Sequence, residues 1–128
     1  MFAKRIQVVL IAGGMFLLMA CGPETIFLKS GFDTPSHHVA NGKQLLENGK
    51  YDAALSEFLR AQEQLDETYA PIYVGIGLAR AHKGEFAAAY EALEAARRFT
   101  HDAAGFKEID QAHETVRRLE LQENPNSN

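Results

Sequence analysis

Two stretches of the chain space their apolar residues three and four apart: Tyr51, Ala54, Leu55, Phe58, Ala61 and Leu65, then Phe86, Ala89, Tyr90, Leu93 and Ala96. That spacing gathers each set on one face of an α-helix. A glycine precedes each, Gly49 and Gly84, where a helix can end in a left-handed residue and the chain reverse. Upstream of each glycine lies a further helical stretch, one starting near Ser36 and one with Pro71 in its first turn, a position that suits proline. A fifth helix follows Thr100, with Asp102 as N-cap and Phe106, Ile109, Ala112, Val116 and Leu119 as its apolar stripe. Its outer face, Glu108, Glu114, Arg117, Arg118 and Glu120, reads as solvated. The pattern predicts an all-α fold of two helical hairpins, over about 36–68 and 69–101, closed by a capping helix over 102–122.

The two hairpins are copies of one unit. Aligning "NGKQLLENGKYDAALSEFLRA" from Asn41 with "IGLARAHKGEFAAAYEALEAA" from Ile76 superposes Gly42 on Gly77, Gly49 on Gly84, Ala53-Ala54 on Ala88-Ala89 and Ala61 on Ala96, every pair 35 residues apart. Tyr51 falls on Phe86 and Phe58 on Leu93. A fixed period of this size marks a helical-repeat array, and the small residues would let neighbouring helices approach closely. The pattern resembles the tetratricopeptide repeat, whose period is about 34 residues, over residues 36 to about 100. Tyr73 stands at an aromatic position of that family, and His38 at the matching place in the first copy.

The resemblance implies a right-handed α-solenoid fragment whose first helices line a concave, partner-binding groove. The matching positions are Val39, Lys43, Leu46 and Glu47 in the first copy and Val74, Leu78, Ala81 and His82 in the second. They are more apolar than the two-carboxylate clamp of chaperone-binding members, which favours a hydrophobic partner segment over an acidic tail. The exposed end of a solenoid needs a polar-backed cap, which the fifth helix supplies.

The N-terminus has a different anatomy. Lys4-Arg5, an apolar run from Ile6 to Leu18 and the small Ala20 form the three parts of a secretory signal peptide, 1–20. The run falls short of the roughly 20 apolar residues a membrane-spanning helix needs. Leu18-Met19-Ala20-Cys21 resembles the lipobox of bacterial lipoproteins. That resemblance implies a diacylglyceryl thioether on Cys21, an N-acyl chain on its freed amine, and, with Gly22 next, an outer-membrane address. More than one chain makes such an anchor firm, since each buried methylene contributes about 0.8 kcal/mol. Residues 21–35 then read as lipidated N-terminus and tether, with two glycines after Cys21 and two prolines. Ile26, Phe27, Leu28 and Phe32 are apolar for a tether, which favours docking onto the domain over lying at the bilayer. The tail 123–128 is polar and expected to be disordered.

Charge and composition narrow the function further. Lys4 and Arg5 are the only charged residues before Cys21, so the chain from Cys21 onward carries 11 basic and 17 acidic side chains, a net charge of −6. With no basic run longer than two in that part, nucleic acid is not an expected partner. Cys21 is the only cysteine, so no internal disulfide is available and the domain must rely on packing. His37, His38, His82, His101 and His113 show no metal-ligand spacing, and His113-Glu114 lacks a second histidine four residues on. No phosphate loop or nucleophile elbow is present. The sequence therefore points to a non-enzymatic, lipid-anchored interaction module of the cell envelope, without metal or cofactor beyond the lipid, that captures a protein or peptide as scaffold or pilot. Because two repeats are fewer than the three a stable stack usually needs, completion by a second copy as a homo-oligomer is the alternative.

Overall fold

A computed structural model describes residues 33–65 and 68–125. The signal segment, Cys21, the tether up to Phe32 and residues 126–128 lie outside the described residues, as does the docking expected of Ile26 to Phe32. Five helices follow one another: α1 Pro35–Glu47, α2 Tyr51–Gln64, α3 Ala70–His82, α4 Phe86–Phe99 and α5 Ala103–Glu123. No strand occurs among the described residues. The fold is all-α, with hairpins α1–α2 and α3–α4, α2 packed on α3, and α5 packed on both α3 and α4.

Local chemistry fixes the ends of these helices. Thr34 caps α1, its Oγ1 accepting from the backbone N–H of His37 at 3.3 Å, and Pro35 occupies the first turn. Asp102 caps α5, its Oδ1 accepting from Gly105 N–H at 2.7 Å. Both hairpins turn in the same way. Gly49 and Gly84 have φ of 71° and 77°, a region that costs residues with a Cβ but not glycine. The next amide reaches back over each turn, Lys50 N–H to Leu45 C=O at 2.9 Å and Glu85 N–H to Arg80 C=O at 3.0 Å, closing off carbonyls the helix end leaves free.

The core is organised around α3, which buries Ile72, Val74, Gly75, Ile76, Gly77, Ala79 and Ala81. A helix apolar on nearly all sides belongs in the interior. Ile72 and Ile76 join Val39, Ala54, Phe58, Ala61 and Ala92 in one cluster, whereas Val74 and Ala81 join Ala89, Leu93, Ala96, Ile109, Ala112 and Val116 in another. Ala54 and Ala89 are wholly buried, as the repeat alignment expects of residues where helices meet. Gly42 and Gly77 make room as well. A Cβ on Gly42 would stand 2.8 Å from the Phe58 ring, and one on Gly77 would stand 3.1 Å from the Ala89 carbonyl oxygen. Gly75 also faces Phe58, and a Cβ there would run into the Cε1 and Cζ atoms of the ring.

Candidate interaction face

The residues expected to line a groove divide in two. Val39, Val74 and Ala81 are only 7%, 5% and 2% exposed and belong to the two core clusters. They are packing residues, a correction to their groove assignment. The cause is the position of α3, which is enclosed by the α1–α2 hairpin on one side and by α4 and α5 on the other. Leu46 and Leu78 are half-buried against the first and second cluster respectively. Lys43, Glu47 and His82 are exposed. What reaches the surface from this set is therefore more polar than the sequence suggests.

Contacts of these residues join the helices in pairs, α1 to α5 and α3 to α2. Lys43 Nζ of α1 lies 3.8 Å from Glu108 Oε1 of α5. Both side chains are about half exposed, so water screens the pair and it contributes little stability. The His82 ring stacks on Tyr51 with centroids 4.3 Å apart and planes 3° apart. Partial burial, and then the charge of Arg118, hold the His82 imidazole below its ordinary range, so at neutral pH it presents an uncharged aromatic surface. The outer face of α5 is not wholly solvated either. Glu120 accepts a hydrogen bond from the Tyr90 hydroxyl at 2.9 Å, and Glu108 takes part in the bridge to Lys43.

Sequence reasoning missed Tyr69. It is 48% exposed and separates two clefts at the starts of the helices. One, of about 360 Å³, is lined by Pro35, Ser36, Val39, Leu65 and Tyr69. The other, of about 400 Å³, lies between the starts of α3 and α5 and includes Pro71, Phe99, Asp102 and Glu108. An aromatic ring flanked by concavities suits a partner side chain, because tyrosine offers apolar area and a polar tip together. Tyr69 stands outside both apolar stripes, so helical periodicity could not find it.

Comparison with protein-family models, with curated proteins and with solved structures gives no match to this chain. Among the described residues no group of three His, Cys, Asp or Glu could hold a metal ion, and no helix is long and apolar enough to cross a membrane.

Proposed function

We propose that this chain is a lipid-anchored, tetratricopeptide-type interaction module of the bacterial envelope, a scaffold or pilot protein for an assembly or secretion complex. Acylated Cys21 would hold it at the periplasmic face of the outer membrane. The observation that carries this reading is the duplicated hairpin, with a left-handed glycine, the same turn-closing hydrogen bond and a close-approach glycine recurring 35 residues apart. Stacked units of this kind act by presenting a continuous surface to a partner. The surface concerned is that of α1, α3 and α5, with Tyr69 and the rims of Leu46 and Leu78 as apolar contacts and Lys43, Glu47 and His82 as polar ones. Ile109, Ala112 and Val116 of α5 cover the last repeat, which favours a foreign partner over a second copy completing the stack.

Photo-crosslinking in intact cells tests the reading. A photoreactive residue at Tyr69 or His82 should give a discrete protein adduct, and one at Glu114 on the far side of α5 should give none. In a Cys21→Ser background the protein should stay uncleaved or leave the outer-membrane fraction. Equal adducts at Glu114 would remove the face, and normal fractionation of Cys21→Ser would remove the anchor.

A further inference from the structure

His38 is buried, 6% exposed, and sits between two carboxylates. Its Nδ1 lies 2.7 Å from Glu57 Oε2 on α2, and its Nε2 lies 2.8 Å from Asp33 Oδ1 in the segment that enters α1. Ionised carboxylate oxygens only accept hydrogen bonds, so both ring nitrogens must carry a proton to satisfy both contacts. A neutral ring would set a bare lone pair against one carboxylate. The imidazolium also belongs to a chain of alternating charge, because Arg60 Nη1 donates to the other Glu57 oxygen at 3.1 Å.

We propose that His38 is a proton-dependent latch: its imidazolium clasps Asp33, and with it the segment entering the domain, to the α1–α2 hairpin, and loss of one ring proton releases Asp33. The surroundings decide which partner is let go. Glu57 is 13% exposed and stays held by Arg60 and Asn41 on other sides. Asp33 is 46% exposed, and its further contacts include a Gln64 amide donating at 3.3 Å. A neutral His38 therefore keeps its Nδ1 proton on Glu57 and leaves the Nε2 lone pair facing Asp33, with the Gln64 amide nitrogen, 3.4 Å away, as the donor it can accept from instead. His37 lies edge-on to the His38 ring, with centroids 6.4 Å apart. Among the described residues α3, the other helix packed on α1, brings no ion pair to it. Release of Asp33 acts on the adjoining residue, Thr34, which caps α1.

The titration of the group agrees in direction. Hydrogen bonds to Glu57 and then Asp33 raise the His38 pKa above 6.5, against the opposing effect of burial, and the bond to His38 lowers that of Glu57 below 4.5. The His38 contribution to stability is thus complete below pH 6.5 and is lost as pH rises through the raised value. The Glu57 contribution is present above pH 4.5 and is lost as pH falls through the lowered value. The latch is closed between the lowered Glu57 value and the raised His38 value and opens as pH rises through the latter, whether or not Cys21 is acylated.

Nitrogen-detected NMR of the full chain, with the histidine rings ¹⁵N-labelled, tests this. Both His38 nitrogens should be protonated at the mildly acidic end, with a titration midpoint above 6.5, and the Asp33 and Thr34 amides should shift with that same midpoint. Glu57→Gln should lower the midpoint. Asp33→Asn, at a half-exposed position that leaves the core untouched, should lower it too and keeps the test open if Glu57→Gln fails to fold. A midpoint at or below 6.5, one unchanged by Asp33→Asn, or Asp33 and Thr34 amides that ignore it would overturn the latch.

Discussion

Phe58→Ala is expected to cost about 3–5 kcal/mol, the usual range for removing a buried aromatic ring, and to sit at the upper end of it. The ring is 0% exposed and lies against Gly42 of α1 and Gly75 of α3. Two helix backbones form its walls, and backbones held by their own hydrogen bonds cannot collapse into the space a lost ring leaves. Domains of ordinary stability have about 5–15 kcal/mol in total, so the variant should approach global unfolding. Thermal melts followed by circular dichroism should show a fall of more than about 10 °C, since each kcal/mol is worth roughly 4–8 °C at this size. A fall of less than about 3 °C would mean that the ring does not fill the seam between the hairpins.

Gly75→Ala should be harmful through the same ring from the other side. The added methyl meets Phe58 at its Cε1 and Cζ atoms, and retreat is blocked by Gly42 beyond. Overpacking of this kind costs about 1–3 kcal/mol. Phe58→Leu should relieve part of it, because a shorter side chain leaves the new methyl a place. The two substitutions together should therefore be less damaging than the sum of each alone, with a coupling of about 0.5–3 kcal/mol in a double-mutant cycle of urea unfolding. Strict additivity would show that Gly75 and Phe58 do not share a contact.

Much of this packing was legible in the sequence because repetition made it so. Ala54 with Ala89, Gly42 with Gly77 and Gly49 with Gly84 each appear twice at one spacing, and each does the same work in both copies. Gly75 was not legible on that ground, since its counterpart 35 residues earlier is Ala40. Its role lies between the copies, where a periodic comparison carries no signal. The groove was read less well for a related reason. The first helix of the second copy is covered on two sides, so Val74 and Ala81, assigned to the surface by analogy with the family, are consumed by packing against α4 and α5. Val39 meets the same fate in the cluster around Phe58. Tyr69 and the carboxylate partners of His38 depend on how loops and helices converge in space, which a linear pattern does not encode.

The division of the core into two clusters sharing α3 bears on how the molecule would respond to mechanical load. Force entering at the N-terminal end reaches α1 first, and the buried apolar contact of α1 and α2 with the rest of the chain is the cluster around Phe58, supplemented at the surface by the Lys43–Glu108 pair and the Tyr51–His82 stack. Peeling that hairpin away would leave Val74, Leu93, Ile109 and Val116 still enclosed by α3, α4 and α5. Yielding would then occur in steps, with the proximal hairpin acting as a sacrificial extension and the distal three helices holding their shape. An attachment near the N-terminus would stretch before the whole domain was lost.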